Sequence, residues 1–123
     1  MEEIWMKIKL DKTDSKVIHS NETYDVIDNT NLNNLIVSKT TLHPGKETSG
    51  HNHSGQEEVY VFIRGSGKMV VGTNTYNVKA GDTILIPDGD FHKVWNTSEY
   101  DGDFEYPICD LEFICVFDGS RNH

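Results

Sequence analysis

Apolar and polar residues alternate along this chain in short stretches, and no stretch shows a helical period. Ile4, Met6, Ile8 and Leu10 alternate with Trp5, Lys7 and Lys9, which predicts a strand with one apolar face. Polar, Asn- and Asp-rich residues follow, broken by Val17-Ile18 and by Tyr24 to Ile27, and read as loop with two short strands. Leu35 to Leu42 predicts a clear strand that ends at Pro44-Gly45. Glu58 to Arg64 is apolar on both faces. With Glu58 pointing inward, Tyr60 and Phe62 share its face, and Val59, Val61 and Ile63 form an outward row. Such a row calls for a cover, either the N-terminal strand or a second subunit.

Turn signals then recur at short intervals. Gly65-Ser66-Gly67 leads into Lys68 to Val71, and Gly72-Thr73-Asn74 leads into Tyr76 to Lys79. Ala80-Gly81-Asp82 precedes a strand at Thr83 to Ile86. Pro87-Asp88-Gly89-Asp90 precedes another, on which His92, Val94 and Asn96 share one face and Lys93 and Trp95 the other. Residues 97–107 are acidic and aromatic and read as a long solvated connection, or a lid, before a last strand from Leu111 to Phe117. Many short strands with turns between them predict an all-β sandwich or barrel.

Length and charge narrow the classes. A chain of 123 residues makes one domain with one core, the barrel proper spanning about residues 35–117. Eleven basic against 20 acidic residues give a net charge of −9, which opposes binding to nucleic acid or to an anionic membrane. The absence of a long apolar run and the acids at Glu2 and Glu3 point to a cytoplasmic protein with no membrane span. Cys109 and Cys115 would stand about 20 Å apart on an extended strand, too far to bond, and free thiols fit a reducing compartment.

The chemistry concentrates in two glycine-bounded stretches. The first reads Gly45, five residues, His51-Asn52-His53, four residues, Glu58, six residues, Gly65. On a strand His51 and His53 face one side about 6–7 Å apart and can grip one ion, and Glu58 returns as an oxygen ligand from the neighbouring strand. The second runs from Gly81 through Pro87 and Gly89 to His92 and Asn96, and His92 closes the set. Three imidazoles and a carboxylate suit a divalent transition metal, Fe, Mn, Ni or Zn, with coordination positions left for a substrate or water. A structural zinc site would more typically draw on cysteines, and both cysteines here are far away. Asn96 reads as a strand-end hydrogen-bonding residue. Tyr60, Phe62 and Met69 are core residues by default and candidates to line a pocket above the ion, while His19, His43 and His123 read as surface histidines.

These two stretches resemble the two motifs of the cupin family, G(X)5HXH(X)3,4E(X)6G and G(X)5PXG(X)2H(X)3N, both complete here. Each of the ten specified positions has a background chance of about one in twenty, so coincidence is negligible. Glu57 fits the shorter spacing of the first motif, but only Glu58 leaves six residues before Gly65. The resemblance implies a double-stranded β-helix, or jelly-roll, often dimeric, and a range of chemistries. A metal-dependent enzyme acting on a sugar or other oxygen-rich small molecule is expected, with an isomerase or epimerase favoured. The alternatives are a dioxygenase and a non-catalytic ligand-binding protein. Glu57 and Tyr60 are the candidates for proton transfer; no organic cofactor is implied.

Overall fold

The computed structural model describes residues 10, 11, 15–32, 34–52, 55–98 and 108–119. Among them run nine strands and no helix: β1 (Lys16–Ser20), β2 (Tyr24–Asn29), β3 (Leu35–Leu42), β4 (Glu58–Arg64), β5 (Ser66–Val71), β6 (Asn74–Lys79), β7 (Thr83–Ile86), β8 (His92–Trp95) and β9 (Leu111–Asp118). The larger sheet has the order β1-β2-β3-β9-β4-β7 and the smaller β6-β5-β8. Every pairing between named strands is antiparallel. The two sheets close on each other as the expected jelly-roll, with the last strand inserted between β3 and β4.

Alternation along each strand builds the interior. Leu111, Phe113, Cys115 and Phe117 of β9 are at most 4% exposed, and Glu58, Tyr60 and Phe62 of β4 lie on the same side. Met69 and Val71 of β5, Val78 of β6 and Val94 of β8 meet them from the smaller sheet to complete one core. Each large apolar side chain withdrawn from water contributes about 1.5–3 kcal/mol. The outward row of β4 continues onto its neighbours. Val59 stands opposite Leu85 and Val116, and Val61 opposite Ile114. Ile63 is 46% exposed and Leu85 62%.

Three expected strands, Leu35–Leu42, Glu58–Arg64 and Thr83–Ile86, keep their bounds, and the others shift by one or two residues at an end. The chain needs only Gly65 to pass from β4 to β5, so β5 starts at Ser66 rather than Lys68. Gly67, read as part of a turn, sits inside β5. A Cβ there would collide with the Trp95 carbonyl of the paired strand, so a glycine is what lets β5 and β8 approach. The partner strand β6 starts at Asn74, because Val71 pairs with Asn74 across a two-residue loop. The expected N-terminal strand lies outside the described residues except for Leu10, as does the 97–107 connection except for Thr97 and Ser98. Cys109 and Cys115 are both free thiols.

Two polar clusters tie strand ends together. Asn96, 2% exposed, donates through Nδ2 to the Leu42 carbonyl at 2.8 Å and the Cys109 carbonyl at 2.9 Å. Its Oδ1 accepts from the Ser98 amide at 3.0 Å and the Ser98 hydroxyl at 2.6 Å. One side chain thus joins the ends of β3 and β8 to the start of β9. His43, expected at the surface, is instead half-buried between Asp110, 3.0 Å from Nδ1, and Asp25, 3.4 Å from Nε2. Asn96→Ala removes two donors from buried carbonyls and is expected to cost about 3 kcal/mol. A urea titration should show a lower midpoint with an unchanged slope, and Asn96→Asp, which keeps only the acceptors, should fall as far.

Candidate functional site

The site begins with how His51 comes to face His92. Residues 45–51 run antiparallel to β8 and extend the smaller sheet without forming a regular strand. Gly45 N donates to Asn96 O at 3.1 Å, Asn96 N to Lys46 O at 2.8 Å and Thr48 N to Val94 O at 2.9 Å. His51 and His92 then exchange both backbone bonds, at 3.1 and 2.9 Å. From Asn96 to Val94 to His92 each step is two residues, but opposite them the steps are from Lys46 to Thr48 and from Thr48 to His51. The second step holds one extra residue, a β-bulge at Ser49-Gly50. Without it position 50 would stand opposite His92 and His51 would turn to the other face. Gly50 adopts φ of +79°, which favours glycine, and a Cβ there would lie 2.7 Å from Cζ of the exposed Phe91 ring and push it aside. Lys93 reinforces the seam by bonding Glu47 at 3.0 Å while resting over the Trp95 ring. That hydrogen bond holds the Glu47 carboxyl below its ordinary range.

The paired histidines are oriented by what surrounds them. His92 is 3% exposed, and His51 is exposed at the barrel mouth. Their rings meet edge to face with centroids 5.5 Å apart. His92 Nδ1 lies 3.1 Å from the Asp90 carbonyl, which can only accept, so the proton sits on Nδ1 and the lone pair on Nε2. That is the tautomer a metal ligand needs. Behind His92 the rings form a chain into the core: Tyr60 at 5.7 Å, Phe113 stacked on Tyr60 at 5.0 Å, and Phe62 against Phe113 at 5.2 Å.

Glu58 enters from the larger sheet, 5% exposed, two residues before Tyr60 and on the same face. His53 lies outside the described residues. Among the described residues no group of three or more His, Cys, Asp or Glu side chains is gathered closely enough to hold an ion. The structure therefore brings His51 and His92 together and sets Glu58 inside the barrel. Of the two proton-transfer candidates, Tyr60 is inside, whereas Glu57 is exposed and lines an outer groove with Leu85 and Asp88.

Next to the histidines lies a cavity of 140 Å³ whose walls include His51, Tyr60, Phe113 and Cys115. Phe62 and Met69, candidates for such a lining, are packed core residues instead. The residues that sequence reasoning missed are Ile18, Tyr24, Val26 and Thr40, which come from the first three strands, and Thr48 and Ser49 from the bulged segment. His19, read as a surface residue, is exposed but stands on the cavity rim. The alternation of β3 was the available signal for Thr40, since it shares the inward face with Leu42. Burial pushes the Tyr60 phenol well up, with Cys115 and Glu58 adding to the effect. The Cys115 thiol is likewise raised by burial and by Glu58, against smaller opposing contacts with the Tyr60 and Thr40 hydroxyls. Both groups hold their protons where an unfolded chain would release them.

The comparisons agree with this architecture. The family model described as a cupin domain matches residues 38–105. An uncharacterized protein of Methanocaldococcus jannaschii is 40% identical over 52 residues, 42% of this chain and 42% of that protein. The oxalate-binding protein of Thermotoga maritima is 29% identical over 81 residues, 66% of this chain and 60% of the relative. The chain thus spans about two fifths and three fifths of these two relatives. Among solved structures, a cupin-2 domain from Rhodospirillum rubrum superposes with a TM-score of 0.74 at 14% identity, covering 96% of this chain and 78% of that one.

Two outcomes are expected. Gly50→Ala places an L-residue in the left-handed region at a cost of about 1–2 kcal/mol. Hydrogen exchange at the His51 and His92 amides should therefore quicken on the order of tenfold relative to that at Phe113. The raised Tyr60 and Cys115 groups contribute stability that is complete below the ordinary thiol and phenol values, about 8.5 and 10, and is lost as pH rises past them. The urea midpoint should fall from about pH 8.5 upward, and Cys115→Ala should remove the first part of that fall.

Proposed function

The chain belongs to the cupin family, and on that premise we propose a metal-dependent site that holds a small oxygen-rich molecule at the mouth of the barrel. The observation that carries this reading is the pair of facing imidazoles, His51 and His92, with the His92 tautomer set by Asp90 and a cavity beside them. The donors fit a divalent transition ion. His51, His53, Glu58 and His92 are the residues to hold it, His53 by its place in the first motif. When bound, Fe²⁺, Mn²⁺, Ni²⁺ or Zn²⁺ polarises substrate oxygens and acidifies the adjacent C–H.

Within that reading an isomerase or epimerase reaction on a sugar or related molecule comes first, as the resemblance implies, with the base supplied neither by the exposed Glu57 nor by a protonated Tyr60. Tyr60 keeps its proton, so it serves as a hydrogen-bond donor to an oxygen that gains charge. Phe113 stacks on its ring, and Phe113 and Cys115 line the cavity beside it. A binding-only version of the same site is the second reading. It draws support from the name of the Thermotoga relative, an oxalate-binding protein, with which this chain shares 29% identity over 81 residues.

Elemental analysis of protein purified without a metal-affinity tag tests the shared premise. About one equivalent of a transition metal is expected, with His51→Ala and His92→Ala each reducing it at least tenfold, on the order of the loss of a good ligand. Unchanged metal in both variants would remove the proposal. Oxygen uptake by the iron-loaded protein with catechols, diketones or thiols would replace isomerase by dioxygenase.

A further inference from the structure

The outer face of the larger sheet carries an unbroken apolar row. Val37 of β3 stands opposite Val116 of β9, Val116 opposite Val59 of β4, and Val59 opposite Leu85 of β7, so the row crosses four strands. Leu35 and Leu85 are 46% and 62% exposed. A groove runs along this face, and its described lining joins Leu35, Val59, Leu85 and Val116 to Glu57, Asp88 and Asp118. All three acids are exposed, and no Lys, Arg or His is among the described lining residues. Such a groove suits an occupant with apolar side chains on one side and positive charge beside them.

A second copy of the same face does not meet that requirement. It would set these carboxylates against their own kind, between molecules that each carry a net charge of −9. The N-terminal segment does meet it, because Ile4, Met6, Ile8 and Leu10 alternate with Trp5, Lys7 and Lys9. Its point of attachment is also right. Leu10 is half-buried, and the Asp11 carbonyl accepts from Ser15 N at 3.0 Å just before β1. Lys16, which opens β1, stands opposite Asp28, at the end of the sheet that also holds Leu35, Asp118, Glu58 and Ile86. Strands about 4.8 Å apart put β3, β9 and β4 about 10, 14 and 19 Å from β1. Counted back from Leu10 at about 3.3 Å per residue, the reach to Ile8, Met6 and Ile4 is about 7, 13 and 20 Å. The segment is long enough to cross to β4.

We propose that residues 4–10 dock across the outer face of the larger sheet of their own chain, with Ile8, Met6 and Ile4 against Leu35, Val116 and Val59 and with Lys7 and Lys9 toward the carboxylates of the groove. The groove is walled in part by Gly55–Glu58 and Asp88, the connections that lead to Glu58 and to His92, and the Gly55 amide already bonds the Asp88 carboxylate between them. The docked segment braces both connections from outside the barrel.

The test places a nitroxide on the full chain at Trp5→Cys, on the side of the segment opposite Met6, with Cys109→Ser removing the half-buried thiol and Cys115 left buried. In isotope-labelled protein the amide signals of Leu35, Val59 and Val116 should broaden, that of Tyr76 on the smaller sheet should not, and dilution should change neither. Met6→Asp, which adds an acid to the segment and leaves the barrel untouched, should lower the ratio of docked to free segment by about tenfold or more. Lys7→Glu and Lys9→Glu should each lower it by about two- to fivefold. Absence of broadening on this face overturns the inference, as does broadening that Met6→Asp leaves unchanged. Broadening seen only when spin-labelled chains are mixed with separate isotope-labelled ones gives the face to a second copy and overturns it too.

Discussion

Two backbone hydrogen bonds between His51 and His92 are the constraint on which the mouth of this barrel depends. They set the histidines directly across from each other, in the arrangement where opposed Cα atoms of an antiparallel pair stand about 5.5 Å apart. That register is not inherited from a regular strand. It is reached because the 45–51 segment takes one extra residue at Ser49-Gly50, where the positive φ favours a glycine. The two imidazoles are placed by backbone geometry first and by side-chain chemistry second.

Once the pair is in register, the interior decides how it behaves. His92 leans on Tyr60, Tyr60 on Phe113, and Phe113 on Phe62, so the orientation of the buried imidazole is continuous with the packing of the core. The same burial that provides cohesion keeps the phenol of Tyr60 and the thiol of Cys115 protonated. A polar group inside this barrel is therefore a donor of hydrogen bonds far more readily than a source of charge. Glu58, the acidic residue in such surroundings, owes its place to the inward parity of β4.

Much of this was legible in the residues. Alternation placed Leu35–Leu42, Glu58–Arg64 and Thr83–Ile86 to the residue, because each strand has one face in the core and a one-residue error would reverse it. Spacing singled out His51, His53, Glu58 and His92, of which His53 stands beyond the described residues. Illegible were the features made by distant segments. The walls supplied by Ile18, Tyr24 and Val26 belong to the two short strands expected inside the Asn- and Asp-rich stretch, but patterns so short do not say that these strands reach His51. The clamp on His43 joins Asp25 to Asp110, residues 85 positions apart that nothing local connects. The bulge at Gly50 was hidden as well, because a glycine next to a histidine motif reads as a turn until its partner strand is known.

The position of β9 has a consequence for how the molecule is assembled. This strand sits between β3 and β4, with Leu35 opposite Asp118 and Glu58 opposite Phe117. During synthesis the chain from β1 to β8 can form hairpins, but the central slot of the larger sheet stays vacant until the last strand emerges. Closure of the slot brings together segments that are among the farthest apart in sequence, the kind of contact that makes folding slow. Until then the edges of β3 and β4 present unpaired amides and carbonyls to one another and to neighbouring chains, the moment of greatest exposure to misassembly.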